Sequence, residues 1–349
     1  MSLEFRPFLQ KIGSGQHTSK SLSRTEAEQA LTMILKQEAT PAQIGAFLIA
    51  HRIKRPTGVE MAGFLDAYNS LGASIPAISP LVLSLGCPYD GRDRTVPISP
   101  LASLVVASAG EKVLAHGATQ MPTKYGMPLI EVWQALGIDW QGLTLGQIQA
   151  VLLGTGLGFW YQPDHFPLAQ GLVTYREQIG KRPPLATLEL LWSPYLGNYH
   201  LIAGFVHPPT EQVMAEALAL HDFQSFTTVK GLEGSCDLPR DRAVIIGLAG
   251  QRLILHSRDF GFGGSDPVLV RSELPRQMQE VVNGATTELQ KSVIWNAGFY
   301  LWRLGRADHL EQGCQLATEL LTGGKVQQKL AELQVAIAKL RDRNQPSAG

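Results

Sequence analysis

The N-terminal part of the chain carries apolar residues every three or four positions, which is the spacing of amphipathic helices. Helix-start signals stand at Ser23, Thr40 and Thr57, and stop signals stand at Pro56 and Gly72. We therefore expect three amphipathic helices, packed together as a small helical domain.

Short apolar runs follow a proline-bearing linker at Ile75–Pro80 and predict strands. Leu81–Leu85 and Lys112–His116 are the first two, and the helix between them begins with Ser99 as N-cap and Pro100 as its first residue. Later strands are expected at Phe159–Tyr161, Tyr199–Val206, Phe226–Lys230, Ala243–Leu248 and Leu253–His256, the last two joined as a hairpin through Ala249, Gly250 and Gln251.

Helical spacing returns between and after these strands. Helices are expected at Pro128–Leu136, Thr144–Leu153, Leu168–Ile179, Thr210–Leu220, Thr286–Leu304, Asp308–Leu321 and Lys325–Arg341, and a disordered tail at Asn344–Gly349. The predicted fold class is α/β. A small helical domain over residues 1–77 precedes a large α/β domain over residues 78–349, in which helices flank a central, mostly parallel sheet.

Charge and cysteine usage exclude some classes of function. The 349 residues carry 30 Lys and Arg against 30 Asp and Glu, so no global field attracts nucleic acid or an anionic membrane. The basic cluster His51–Arg55 is interpreted as a solvated helix end, with a basic binding face as the alternative. Cys87, Cys236 and Cys314 are too far apart in sequence to suggest a disulfide framework or a zinc site. Without a signal segment or a membrane-length apolar run, the sequence predicts a soluble cytoplasmic protein.

The loop Gly86–Gly91 directly follows the first predicted strand, and open α/β sheets bind ligands at the carboxyl ends of their strands. This loop, GCPYDG, resembles the GTGGDG loop of the anthranilate phosphoribosyltransferases. Residues 97–100 (PISP), 115–118 (AHGA) and 122–126 (PTKYG) fall in the order of that family's NIST, KHGN and SSKSG motifs. Residues 159–165 and 175–182 resemble its FLFAP and VRxELGxR segments.

The resemblance implies three sub-sites. The site for phosphoribosyl pyrophosphate would comprise Gly86, Asp90, Gly91, Arg92, Ser99 and Lys124. The acceptor site would comprise His116, Gly117 and Arg176, with the arginine as a clamp for the acceptor carboxylate. A Mg²⁺ site would comprise Ser99, Asp237 and Glu233.

Each sub-site also departs from the family pattern. Pro88 and Tyr89 replace two glycines whose backbone would approach phosphate, Ala118 replaces an asparagine, and Cys236 replaces a carboxylate of the magnesium segment. The loss of one carboxylate is expected to weaken the Mg²⁺ site.

Simpler interpretations stay open for three of the implied residues. Arg92 is either a phosphate ligand or an exposed loop charge, and His116 is either an acceptor contact or a buried structural residue. Arg176 is either the carboxylate clamp or a cation on a helix surface.

Two functions follow from the resemblance. The first is a phosphoribosyltransferase of tryptophan biosynthesis, which transfers a phosphoribosyl group to anthranilate or a related aromatic acid. The second is a catalytically altered protein of the same fold that binds nucleic acid. Some members of a divergent second branch of the family are regarded as non-biosynthetic proteins of this kind. The Gly91-Arg92 pair, Leu188–Pro194 and Leu232–Gly234 look more like that branch. Residues 38–64 resemble the family's N-terminal domain, which implies a homodimer through these helices, completed by helices from the middle of the chain.

Overall fold

The computed structural model describes residues 3–15, 17–78, 81–248 and 250–344 of the chain. Part of the predicted linker at Ile75–Pro80, the hairpin residue Ala249 and all but the first residue of the predicted tail Asn344–Gly349 lie outside the described residues.

The N-terminal helices begin where the sequence predicts them. Capping boxes form at Ser23, Thr40 and Thr57, where each hydroxyl accepts from the backbone amide three residues later. A shorter helix precedes them and was not predicted. The four are α1 (Arg6–Ile12), α2 (Arg24–Leu35), α3 (Pro41–Lys54) and α4 (Gly58–Leu71).

The seven strands form one sheet in the order β3-β2-β1-β4-β5-β6-β7. They are β1 (Val82–Gly86), β2 (Val113–Gly117), β3 (Leu157–Tyr161), β4 (Tyr199–Gly204), β5 (Phe226–Val229), β6 (Val244–Leu248) and β7 (Gln251–Leu255). The first five of this order pair in parallel, and β6 and β7 add an antiparallel hairpin at one edge. The predicted fold class, with its helical N-terminal part and mostly parallel sheet, is confirmed.

Most of the remaining helices flank the sheet. They are α5 (Ser99–Ser108), α6 (Leu129–Ala135), α7 (Leu145–Thr155), α8 (Gln162–His165), α9 (Pro167–Gln170), α10 (Val173–Ile179), α11 (Leu185–Leu191), α12 (Pro208–Ala219), α13 (Leu274–Val282), α14 (Glu288–Arg303), α15 (Leu310–Thr322) and α16 (Lys325–Asn344). From the middle of the chain, α10 packs against α3, and α11 and α12 pack against α4. The division at residues 77 and 78 stays a prediction.

One predicted helix is wrong in its extent. The span Leu168–Ile179 is two short helices, α9 and α10, that are separated at Gly171. A Cβ at Gly171 would lie 2.9 Å from Nε2 of Gln37, so the break lets the N-terminal helices approach closely. The sequence also missed α8, α11 and α13, which are short and follow or contain proline.

The strand order locates the crevice where a ligand binds. All residues of β1 and β2 are buried, as expected for parallel strands covered on both faces. The chain runs from β1 to β2 and β3 on one side of β1, and then crosses to β4 on the other side of β1. Such a switch point opens a crevice at the carboxyl ends of the strands, where the loops after β1, β4 and β5 meet.

Candidate functional site

Asp237 joins the loop after β5 to the start of α5. Ser99 Oγ donates to Asp237 Oδ1 at 2.7 Å, and the Ile98 amide donates to Oδ2 at 2.9 Å. The predicted N-cap role of Ser99 is wrong, because Ile98 is the N-cap residue and Ser99 lies in the first turn. The Asp237 carboxylate, from a distant segment, satisfies the amide and complements the positive end of the helix dipole.

Arg92 lies against the same carboxylate. Its guanidinium is 2% exposed, donates to Asp237 Oδ2, and donates from Nε to Thr95 Oγ1 at 3.2 Å. The Nε atom also lies 3.8 Å from a carboxylate oxygen of Glu233. The exposed-charge interpretation of Arg92 is therefore wrong, since this cation is buried inside the protein.

Glu233 organises the turn that follows Arg92. Its carboxylate accepts from the amides of Asp93, Arg94 and Thr95 at 3.2, 3.2 and 3.0 Å. Lys124 Nζ pairs with the same carboxylate and donates to the Gly91 carbonyl at 3.2 Å. Burial opposes ionisation, but Lys124 and the amides outweigh it and hold the pKa of Glu233 well below its usual range.

The predicted phosphate loop packs closely onto the loop after β2. Gly91 has φ +73°, and a Cβ there would lie 2.5 Å from the carbonyl carbon of Gly126. The crevice between Cys87, Pro88, Met127 and Asp237 holds only about 10 Å³ that the centre of a water molecule can reach, which is roughly room for one water. As the loops stand, this crevice has no room for a diphosphate.

The glycines that end the first two strands bring other elements close. A Cβ at Gly86 would lie 2.1 Å from the Leu190 carbonyl oxygen, so α11 approaches the backbone of β1. At Gly117 the corresponding distance to the Phe159 ring is 3.1 Å. At both positions the space that glycine leaves is filled by the protein itself.

Two buried thiols meet beside Ser99. Cys87 Sγ lies 3.2 Å from Cys236 Sγ, and both cysteines are free. Burial, followed by the neighbouring Cys87, raises the pKa of the Cys236 thiol well above its ordinary value. Where the resemblance expects a carboxylate, this chain has a neutral group.

His116 is fully buried at the end of β2, and its role as an acceptor contact stays a prediction. Tyr89 Oη lies 2.6 Å from His116 Nδ1, and burial lowers the pKa of His116 to about 4. Tyr89 also packs with Ala118 and Met121 in a small apolar cluster, against which Val173 lies. We call these four residues the acceptor-wall cluster, and Tyr89 fills the space that a glycine would leave open.

Arg176 is buried rather than on a helix surface. It is 3% exposed, pairs with Glu189 of α11, and approaches Met121 Sδ at 2.8 Å. Its Nε finds no acceptor among the described residues. Burial raises the pKa of Glu189, although the adjacent guanidinium opposes the shift. The surface-cation interpretation is therefore wrong, and the predicted clamp already holds a carboxylate of its own chain.

Asp90 of the predicted phosphate loop pairs with Arg182, which is not among the predicted site residues. Arg182 lies 3.3 Å from Asp90, and Arg52 donates to the Arg182 carbonyl at 2.6 Å. Arg52, Arg55, Arg182 and His207 line a cleft of about 740 Å³ between α3 and the loop after β4. We call this the arginine cleft, and its parts are too far apart in sequence for local spacing to have revealed it.

The predicted Mg²⁺ ligands are only partly brought together. Ser99 contacts Asp237, whereas Glu233 faces Lys124, and each carboxylate already has a cationic partner. Among the described residues, no group of three or more His, Cys, Asp and Glu side chains is placed to hold a metal ion. Because Mg²⁺ needs free, hard oxygen ligands, this donor set does not fit it.

Comparison with known domains assigns the class of protein. The helical bundle domain of the glycosyl transferase family matches residues 6–72, and the α/β domain of that family matches residues 90–327. The chain belongs to this glycosyl transferase family. Across the described ranges, no helix combines the length and apolarity needed to cross a membrane.

Individual relatives are similar along nearly the whole chain. An anthranilate phosphoribosyltransferase of Desulforudis audaxviator is 29% identical over 94% of this chain and 95% of its own length. One from Afipia carboxidovorans is 28% identical over 96% of this chain and 99% of its own. The Saccharomyces cerevisiae enzyme, solved in complex with PRPP and Mg, has a TM-score of 0.85 at 17% identity and covers 97% of this chain and 99% of its own. That last similarity shows the fold.

Proposed function

We propose that this protein is a phosphoribosyltransferase that transfers the phosphoribosyl group of phosphoribosyl pyrophosphate (PRPP) to anthranilate or a related aromatic acid, as a step of tryptophan biosynthesis. In this reaction the acceptor nitrogen bonds to the ribose carbon as the bond from that carbon to pyrophosphate breaks. The observation that carries the proposal is the similarity to two anthranilate phosphoribosyltransferases along more than nine-tenths of the chain.

The arrangement of the candidate site supports this proposal. The glycine-bearing loop, Ser99, Lys124 and Arg176 all lie on segments at the carboxyl edge of the sheet. Lys124 and Arg94 supply positive charge beside the loop that a pyrophosphate would contact. Arg176 next to the acceptor-wall cluster offers a guanidinium beside apolar surface, as an aromatic acid requires.

The direct test is turnover. Purified protein is mixed with PRPP, MgCl₂ and anthranilate, and the loss of anthranilate fluorescence is followed. We expect turnover in the wild type and a loss of about 30-fold or more in kcat/KM for Arg176→Ala, because removing a buried partner of a carboxylate costs about 2–5 kcal/mol. No turnover with any aromatic acid in a panel would contradict the proposal.

Arg240→Ala is the matched control for Arg176→Ala. Arg240 is also a buried arginine, 3% exposed, and it pairs with Glu288 away from the candidate site. A loss of activity through general damage to folding would be similar in both variants. A loss confined to Arg176→Ala assigns the effect to the acceptor site.

We also propose that the protein is a cytoplasmic homodimer that associates through its N-terminal helices. Ile53 of α3 is 75% exposed and Leu3 before α1 is 68% exposed, so this end of the molecule carries accessible apolar side chains. The three cysteines are free and buried, which suits a reducing compartment. Analytical ultracentrifugation is expected to give a dimer that Ile53→Asp weakens, and a monomer at all concentrations would refute the association.

Nucleic-acid binding is a second candidate, which the arginine cleft favours. Within the part of the chain that the structure describes, no carboxylate pairs with Arg52 or Arg55, whereas Lys54 is taken by Glu60 at 2.7 Å. If the cleft binds single-stranded DNA, Arg52→Ala with Arg55→Ala should reduce the slope of log affinity against log salt by about 1 to 2. Arg276→Ala is the control, because that arginine is exposed on α13. An affinity for single-stranded DNA that does not change with salt concentration would exclude nucleic-acid binding by the arginine cleft.

A further inference from the structure

A guanidinium lies where the sequence predicts a divalent cation. Arg92 donates to Asp237 and lies 3.8 Å from Glu233, so it stands between the two carboxylates of the predicted Mg²⁺ set. Ser99, the third member of that set, donates to the other oxygen of Asp237 at 2.7 Å. The Arg92 guanidinium thus lies against both carboxylates that the sequence predicts as Mg²⁺ ligands.

The carboxylate oxygens have few free positions left. Asp237 Oδ1 accepts from Ser99, and Oδ2 accepts from Arg92 and from the Ile98 amide at 2.9 Å. The Tyr300 hydroxyl lies 3.3 Å from Oδ1, and its one proton is shared between Asp237 and the carbonyl and thiol of Cys236. A carboxylate has about four acceptor positions, so three committed hydrogen bonds and a nearby hydroxyl leave little free capacity. Mg²⁺ would have to displace a buried hydrogen-bond network to reach either oxygen.

Arg92 is also held in place from its other side. Its Nε donates to Thr95 Oγ1 at 3.2 Å, and Nη1 lies 3.5 Å from Ser235 Oγ. The side chain is 2% exposed. A guanidinium that is buried, paired and donating in several directions does not swing into solvent without a large cost.

Charge balance around the loop is complete without a metal. Asp93, Glu233 and Asp237 face Arg92, Arg94 and Lys124. A resident Mg²⁺ would add two positive charges within a few ångströms of Arg92, where like charges repel strongly because the surroundings are of low dielectric. The electrostatic reason for a resident divalent cation is therefore absent.

We infer that Arg92 replaces the protein-bound divalent cation, so that Asp237, which also accepts from Ser99, holds a guanidinium and no metal ion. The inference rests on the proposed function only for the identity of the diphosphate ligand. Any divalent ion at the site arrives with that diphosphate and leaves with it. The positive charge that Arg92 supplies belongs to the protein and is present in every state of the site.

Binding of Mn²⁺, measured by electron paramagnetic resonance and by calorimetry without any diphosphate, tests the inference on the full chain. The wild type is expected to bind Mn²⁺ no more tightly than about 1 mM, which is at the weak end of protein cation sites. Arg92→Gln frees Asp237 and is expected to bind Mn²⁺ at least about tenfold more tightly. Arg92→Gln with Asp237→Asn should lose that gain, and the control Arg240→Gln should show none.

Asp237→Asn alone keeps the test decisive if Arg92→Gln does not fold. The inference predicts that this variant binds Mn²⁺ as weakly as the wild type. Stoichiometric binding of Mn²⁺ to the wild type, abolished in Asp237→Asn, would overturn the inference. That result would leave the transferase proposal intact. Absence of turnover, with weak Mn²⁺ binding in the wild type and a gain in Arg92→Gln, would overturn only the transferase proposal.

Discussion

Arg92 and Arg176 are two buried arginines that each pair with a carboxylate, but their surroundings differ. The Arg92 partner, Asp237, also accepts from a backbone amide and a serine hydroxyl, so that pair is anchored to the start of α5. Arg176 pairs with Glu189 between two short helices, one donor meets a thioether, and Nε has no acceptor among the residues described. The first pair is a closed structural link. The second pair leaves one buried N–H donor without an acceptor among the described residues.

The largest effect is expected from Asp237→Ala. It leaves the Arg92 charge buried without its partner and removes the acceptor for Ile98 and Ser99. We expect the free energy of unfolding to fall by about 3–5 kcal/mol, measured by urea denaturation. Asp241→Ala, at a half-exposed carboxylate beside Arg242, serves as the control and should change it by no more than about 0.5 kcal/mol. Equal effects in both variants would show that the Arg92 pair is not a structural link.

The next largest effect is expected from lowering the pH, which should destabilise the folded protein through His116. Burial lowers the pKa of His116 from 6.5 to about 4, so between these values the unfolded chain binds a proton that the folded chain does not. Stability is therefore lost as the pH falls through 6.5 toward 4, by about 3 kcal/mol for this group. Urea denaturation across this range checks the slope. In His116→Gln the part of this pH-dependent loss that we assign to His116 should disappear. An unchanged slope of stability against pH would refute that assignment.

A smaller loss of stability is expected from Ser99→Ala. The substitution removes the 2.7 Å hydrogen bond to Asp237 while the Arg92 pair stays. Hydrogen bonds to charged groups contribute about 1.5–3 kcal/mol, so we expect a loss in that range by thermal or urea unfolding. Ser108→Ala is the control, because the Ser108 hydroxyl donates to the uncharged carbonyl of Leu104 at 2.7 Å, with the Lys325 carbonyl at 3.4 Å. A loss as large as that of Asp237→Ala would mean that Ser99, rather than Arg92, holds the carboxylate.

The smallest effect expected is a gain in ligand affinity. Glu189→Gln keeps a hydrogen-bonding side chain beside Arg176 but removes the competing negative charge. We expect benzoate or anthranilate to bind about tenfold more tightly, or about 1.4 kcal/mol, by fluorescence or calorimetry. The same substitution at Glu288, the partner of Arg240, should leave affinity unchanged. Unchanged affinity in Glu189→Gln would make both arginine pairs structural.

Local signals in the sequence were sufficient for most of the fold. The capping residues Ser23, Thr40 and Thr57 act within three residues, and the buried parallel strands appear as short apolar runs. Signals of this kind fail where a proline or a tertiary contact decides the element, as at Gly171, where the approach of Gln37 accompanies the break between two helices.

The candidate site was less predictable, because its contacts join distant segments. Arg92 and Asp237 are 145 residues apart, and no local spacing marks them as partners. The alternatives for Arg92 were a ligand contact and an exposed charge, and neither included a carboxylate of the same chain. Arg176 and Glu189 are only 13 residues apart, but the turn between their helices decides whether they meet.

The separation of Arg92 from Asp237 also bears on the order of events during synthesis. The ribosome makes the loop after β1 well before the segment after β5, and contacts between such distant residues must first close a long stretch of chain. Until Asp237 emerges, the nascent loop carries an arginine without its carboxylate and a helix start without its cap. Fragments that end before residue 237 therefore lack the Arg92–Asp237 ion pair, which holds the loop after β1 against the segment after β5.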